Sequence, residues 1–212
     1  MKKWETLNEV RSKKLEVRNN EIIAILLENR GLKTKKEVEE FINPRLEVVT
    51  TTSVGIDKKE LKKAVDRIKK AIENQEQIVV YGDYDVDGIC GSAILWETLH
   101  GLGAKVLPYI PHRIDEGYGL SLTGISNVKS QISNIKLIVT VDNGIVANEA
   151  VEFANQQGID VIITDHHVAS KKLPKAYAIV HTTRLCGAGV AYMLAQEILR
   201  IRHSGLSRIN KG

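Results

Sequence analysis

Three aspartates, Asp83, Asp85 and Asp87, alternate in "GDYDVDG" between the apolar run "QIVVY" and a glycine. Carboxylates this close raise one another's pKa, and a chain tolerates them together where cations neutralise the excess charge. Two other short stretches carry similar residues: Asp142, Asn143 and Gly144 in "VDNG", and Asp165, His166 and His167 in "TDHH". Singly, each is an ordinary turn, cap or loop signal. Jointly they offer carboxylate oxygens and imidazole nitrogens, a donor set suited to Mn²⁺ more than to Mg²⁺, which prefers all-oxygen coordination. One or two such ions could activate water and offset the charge of a phosphoryl group in transfer. Gly88 would permit a tight turn there, and a helix opening near Cys90 would point its N-terminus at the same place, a favourable seat for phosphate.

The elements around these stretches explain how they could meet. "QIVVYG", "AKVLPYI", "KLIVTVD", "DVIITD" and "AYAIV" read as short strands, separated by helix candidates at 90–102, 121–131 and 146–157, with a last helix at 187–203. Alternation of this kind predicts an α/β fold: a doubly wound, mainly parallel five-stranded sheet with helices on both faces. Ligands of such sheets bind outside the carboxyl ends of the strands, where all three acidic stretches fall.

Upstream the pattern is helical, predicting a small N-terminal extension and linker over 1–55 ahead of the α/β domain over 56–212. "NNEIIAILLENRG" has Ile22, Ile23, Leu26 and Leu27 at helical spacing and Gly31 as its stop. Thr34 with Glu37, and Asp57 with Glu60, have capping-box spacing. Leu61, Ala64, Val65, Ile68, Ala71 and Ile72 then share one helical face, opposite a solvated lysine face.

Composition sets broad limits. The chain has 212 residues, 43% hydrophobic and 26% charged, with net charge +4, as in ordinary globular proteins with a mild bias towards anionic partners. Two cysteines, Cys90 and Cys186, make no disulfide framework or metal-finger spacing and are expected as small core residues. "MKKWETLNEVRSKK" is charged from the start and no apolar run reaches membrane-spanning length, so the expectation is a cytoplasmic protein with no membrane partner.

At the three acidic stretches the chain resembles the DHH phosphoesterases: "GDYDVDG", "VDNG" and "TDHH" look like that family's motifs I, II and III. "NRGLKTKKEVEEFINPRL", "YIPHRIDEGYGLS" and "LCGAGVAYMLAQEI" resemble segments of its RecJ branch, the single-strand-specific 5′→3′ exonucleases of DNA repair and recombination. The resemblance implies metal ligation by Asp85, Asp87, Asp142 and His166, with Asp142 bridging where two ions bind. It implies that His167 contacts the scissile phosphate, making His167 and Asp142 the catalytic residues, while Asp165 orients the histidines and Asp83 stands behind the ligands. Where many relatives carry a histidine this chain has Tyr81, implying a weaker second metal site. After Leu199 only "RIRHSGLSRINKG" follows, without the fourth-motif aspartate, and the loop in "AIVHTTRLCGAG" looks shortened around His181 and Arg184. The expectation is therefore a truncated DHH domain whose activity depends on how that ligand is replaced.

Four further residues are substrate-binding candidates. Arg113 could pair with phosphate and Tyr118 could stack on a base; alternatively Arg113 pairs with Asp115 or Glu116 and Tyr118 packs. Gly187 and Gly189, opening the last helix, could cradle phosphate through their amides or simply allow close packing. Three functions stay open: a Mn²⁺- or Mg²⁺-dependent exonuclease on single-stranded DNA; a DHH phosphoesterase on short oligonucleotides, cyclic dinucleotides or pyrophosphate; and an incomplete half that binds metal or a second chain supplying the rest.

Overall fold

The computed structural model describes residues 21–205; the charged opening segment and residues 206–212, where the fourth-motif aspartate is expected to be missing, lie outside them. The chain divides into two compact units, Met1–Val49 and Thr50–Gly212. In the first, α1 (Glu21–Asn29) and α2 (Lys35–Ile42) are followed by one 3-10 turn at Leu46–Val48. Thr34 and Glu37 form the expected reciprocal capping box, Gly31 takes a left-handed φ of 79° after α1, and Ala24, Leu27 and Val38 make a small core. Ile22, Ile23 and Leu26 stay exposed.

The second unit begins with α3 (Lys58–Glu73), whose buried face holds all six expected apolar residues and also Arg67. Asp57 caps α3 through the amides of Lys59 and Glu60. Glu60 does not reach back to close a box; it accepts from the Ile179 amide at 2.8 Å, bracing the edge of the sheet. Arg67, 6% exposed, joins α3 to the lower end of the sheet through Glu76 at 2.7 Å and Asp160 at 2.6 Å.

The sheet is five-stranded and wholly parallel, in the order β2-β1-β3-β4-β5. Its strands are β1 (Gln77–Gly82), β2 (Lys105–Tyr109), β3 (Ile135–Val141), β4 (Asp160–Asp165) and β5 (Ala178–His181). The helices among them are α4 (Val86–Gly101), α5 (Arg113–Glu116), α6 (Leu122–Gln131), α7 (Asn148–Gln156) and α8 (Gly187–Gly205). α6 and α7 bury Ile125, Val128, Val151 and Ala154 against Val79, Tyr81, Ile138, Val161 and Ile163. Strand side chains alternate, so Ile78, Val80, Leu137 and Val139 turn to the opposite face, where α3, α4 and α8 contact the sheet. Burial on both faces explains why β1, β3 and β4 read as continuous apolar runs, and each filled position such as Leu95 or Ile162 contributes about 1.5–3 kcal/mol.

One helix departs from its expected start and one was not expected. α4 starts at Val86, not near Cys90, because Asp85 is its N-cap and accepts from the amides of Asp87 and Gly88 at 2.9 Å. Its first turn thus already contains Asp87. The short α5 arises inside "HRIDEGYG", where no periodic signal is long enough to show it. Neither cysteine is in the core; both are exposed. On α4 the inward position beside Cys90 belongs to Gly91, whose Cα lies close to Val141 and Ala188.

Candidate metal centre

Strand order reverses between β1 and β3, and the crevice at such a switch point is the usual ligand site. Pairing of Gly82 with Val141, and of Val141 with Thr164, brings the next residue of each strand out side by side. Those are Asp83, Asp142 and Asp165, all 1% exposed. The Asp83 amide donates to Val141 O and the Asp142 amide to Thr164 O, at 3.2 and 3.0 Å. Asp142 has a left-handed φ of 62°, an uncommon conformation for a residue with a side chain and one that clusters at functional sites.

Among the described residues two overlapping groups of side chains could hold a cation: Asp142, His166 and His167, and Asp83, Asp85 and Asp142, with ligand atoms within 4.8 Å in each. Asp142 is common to both. Its Oδ1 is buried, 3.1 Å from His166 Nε2, yet receives no hydrogen bond. Burial raises the Asp142 carboxyl to about 7, and the neighbouring Asp87 and Asp85 charges add to the rise. A buried, orphaned carboxylate oxygen facing an imidazole and two further carboxylates fits a divalent cation. Asp83, expected behind the ligands, stands within one of the two groups, and burial raises its pKa.

Asp87 belongs to neither group. It lies 3.9 Å from His166 Nε2, and its two oxygens accept from the amides of Gly187 at 2.6 Å and Ala188 at 2.8 Å. Burial works against its charge, but these amides and the Cys186 thiol outweigh it and hold Asp87 below its ordinary value. The remaining amides of that turn have partners as well: Gly189 contacts the Cys186 sulfur and Val190 donates to Cys186 O at 3.0 Å. The phosphate cradle expected of Gly187 and Gly189 therefore has no free amides; close approach to Asp87 takes its place.

Asp165 accepts from the amides of His166 (2.7 Å) and His167 (3.1 Å), from His167 Nδ1 (2.7 Å) and, on its other oxygen, from the Ile145 amide (2.9 Å). This leaves His167 Nε2 facing the Tyr118 hydroxyl at 3.3 Å. Although burial opposes charge on His167, Asp165, Asp142 and Asp83 raise its pKa. Tyr118, half-exposed, meets the His167 ring edge-on. Arg113 lies over the Tyr84 ring at 4.7 Å; the pairing with Asp115 or Glu116 does not form, since Asp115 takes His112 and Glu116 takes Tyr109 and the His112 amide.

Two supporting residues were not expected from the sequence. Asn143 is buried and bonds the Leu120 amide and the carbonyls of Tyr81 and Val141, fixing the Tyr118 loop to β1 and β3. Its place beside Asp142 was the only available signal. His181 holds the His167 carbonyl at 2.7 Å, while Arg184 reaches Ser53 O. Tyr81 is buried with its hydroxyl on Gly119 O, on the face covered by α6 and α7.

One consequence concerns stability. In the metal-free protein Asp142 keeps its proton to about pH 7, whereas the unfolded chain releases it near about 4. The folded state binds more protons across that window, so this group's contribution is full below the unfolded pKa and is lost as pH rises through the folded one. In chelator, denaturation midpoints of the parent relative to an Asp142→Asn variant are expected to fall between about pH 4 and 7; a flat difference would refute the shift.

A parallel 2-1-3-4-5 sheet with three acidic turns at its switch point is the architecture of a DHH domain, and the chain belongs to that family. The DHH family, N-terminal domain, matches residues 77–211. The chain is 38% identical over 187 residues to the single-stranded-DNA-specific exonuclease RecJ of Bacillus subtilis (strain 168), covering 84% of this chain and 23% of that one. It is 34% identical over 179 residues to RecJ of Escherichia coli (strain K12), covering 80% and 30%. It thus spans less than a third of either relative. Among solved structures it is similar to RecJ in complex with Mn²⁺ from Thermus thermophilus, with TM-score 0.61 and 29% identity over 85% of this chain and 25% of that one. A second, exonuclease RecJ bound to manganese, gives 0.60 and 35% over 70% and 38%. Among the described residues no helix is long and apolar enough to cross a membrane.

Proposed function

We propose that the chain carries the metal-dependent phosphodiesterase centre of a RecJ-like exonuclease acting 5′→3′ on single-stranded DNA in the cytoplasm, with residues 56–212 as its DHH domain. The observation that carries this is the buried Asp142, shared by both candidate ligand groups and without a hydrogen bond on Oδ1. Asp85, Asp87, Asp142 and His166 would hold Mn²⁺ or Mg²⁺, with Asp83 close enough to join them. Bound there, one or two ions supply water activation and charge stabilisation at phosphorus.

The protein's own groups do the remainder. Asp165 fixes the His167 ring through Nδ1, so Nε2 faces the cleft. Protonated, that nitrogen can donate to a non-bridging phosphate oxygen; neutral, it accepts from Tyr118. Arg113, stacked on Tyr84, brings a cation to the same edge, and the exposed Tyr118 ring offers a face to a base. Val86, Ile114 and Val168 are each more than three-quarters exposed. They adjoin Asp85, Arg113 and His167 in sequence, and this apolar rim supports covering by further protein, either more of a RecJ-like chain or a second chain.

The test is nucleotide release from end-labelled single-stranded DNA in Mn²⁺. Release that stops in chelator, resumes with Mn²⁺ and spares duplex of the same sequence is expected. Preference for dinucleotides or pyrophosphate would move the assignment to a small-substrate DHH phosphoesterase. Tight Mn²⁺ binding without release would favour the incomplete half.

A further inference from the structure

We infer that the N-terminus of α8 is a clamp that positions two ligand carboxylates, Asp87 and Asp142, with Gly187 and Ala188 as its positioning residues. The inference rests on the metal-centre reading above. Asp87 comes from the first turn of α4 and Asp142 from the end of β3, and like charges from separate elements drift apart unless something holds them. The first-turn amides of a helix lack intrahelical acceptors and lie at its positive end, so a carboxylate is favoured there. Here Gly187 donates to one oxygen of Asp87 and Ala188 to the other, fixing both the place and the plane of the carboxylate. The Cys186 thiol takes a third lone pair, and the carboxylate keeps its last one for a cation.

Gly187 also makes room for Asp142. Its φ lies outside the left-handed range, so space, not backbone conformation, calls for glycine. A Cβ there would lie 2.3 Å from Asp142 Oδ1, 2.5 Å from Cγ and 2.6 Å from Cβ. Changing the Asp142 rotamer cannot relieve a clash with its own Cβ, and the Asp142 backbone is held by Thr164 O. The same Asp142 Oδ1 is buried and has no hydrogen bond. Gly91 completes the fit: a Cβ on it would come within 2.7 Å of Val141 Cγ1 and 3.1 Å of Ala188 Cα, so α4 can seat the clamp against β3 only without that side chain.

Gly189, in the same turn, provides the comparison. The atoms nearest a Cβ on Gly189 belong to the Leu185 and Cys186 side chains, the closest at 3.1 Å, and none to a carboxylate. Mn²⁺ titrations by calorimetry of the full chain, its Gly187→Ala and its Gly189→Ala variants test the difference. Gly187→Ala is expected to bind at least about 10-fold more weakly, the scale of a lost supporting contact, with Gly189→Ala close to parent. Should Gly187→Ala not fold, hydrogen exchange decides the matter: in metal-free parent the Gly187 and Ala188 amides are protected, and an Asp87→Ala variant loses that protection. Unchanged affinity in a folded Gly187→Ala variant, or unprotected parent amides, overturns the clamp. A parent that binds no Mn²⁺ overturns the metal-centre reading and the clamp with it, so the two failures are told apart.

Discussion

Replacing Asp142 with asparagine is expected to weaken Mn²⁺ binding by more than the about 10–100-fold typical of a supporting residue, to abolish Mn²⁺-dependent hydrolysis, and to stabilise the metal-free fold at neutral pH. Asparagine keeps the shape of the side chain and tolerates the left-handed φ of 62° better than most residues. The backbone therefore has no reason to move, and the amide can still fit beside Gly187. What disappears is a buried carboxyl that its desolvation, with the Asp87 and Asp85 charges adding to it, holds near 7 without metal. The opposed signs are the diagnostic part. A residue kept for packing would lose stability and leave metal affinity alone; one kept as a ligand gains stability and loses the metal. Thermal melts in chelator beside calorimetric Mn²⁺ titrations read both, and a variant that binds Mn²⁺ like the parent removes Asp142 from the centre.

The fold was legible because β1, β3, β4 and β5 are short and rich in β-branched apolar residues, and the helices between the strands, α5 apart, are long enough to show a period. The acidic edge was legible for the same reason, each motif following directly on a strand. Local ambiguity hid the rest. The first strand ends at Gly82 as expected, but the helix after it begins earlier than Cys90, because Asp85 is an N-cap, a job for which aspartate is well suited. Glu60 has capping-box spacing but a better partner in the Ile179 amide, 119 residues away. The hold of Gly187 and Ala188 on Asp87 spans 100 and 101 residues, and no periodicity reports a contact of that range. Cys186 was read as a core residue because its type usually is; its position, one step before those amides, leaves its sulfur against a carboxylate.

His166 and His167 are adjacent and similar in composition, yet their removal is expected to separate binding from chemistry. His166 turns Nε2 to Asp142 at 3.1 Å and to Asp87 at 3.9 Å, among the carboxylates. His167 also stands within one candidate ligand group, but its Nδ1 is held by Asp165 and its Nε2 meets the half-exposed Tyr118 hydroxyl, on the side where substrate must approach. His166→Ala should therefore lose Mn²⁺ affinity, while His167→Ala should keep it within a few-fold and slow hydrolysis by about 10²–10⁴, the usual worth of a positioned proton donor or acceptor. Asp165→Asn belongs between them: it leaves His167 in place but removes the charge that raises its pKa. The pH at which hydrolysis falls as His167 loses its proton should then move lower, because an imidazolium without its carboxylate deprotonates more readily. Parallel losses of Mn²⁺ affinity in both histidine variants would make His167 a ligand, and the phosphate contact would have to come from Arg113 or Tyr118 instead.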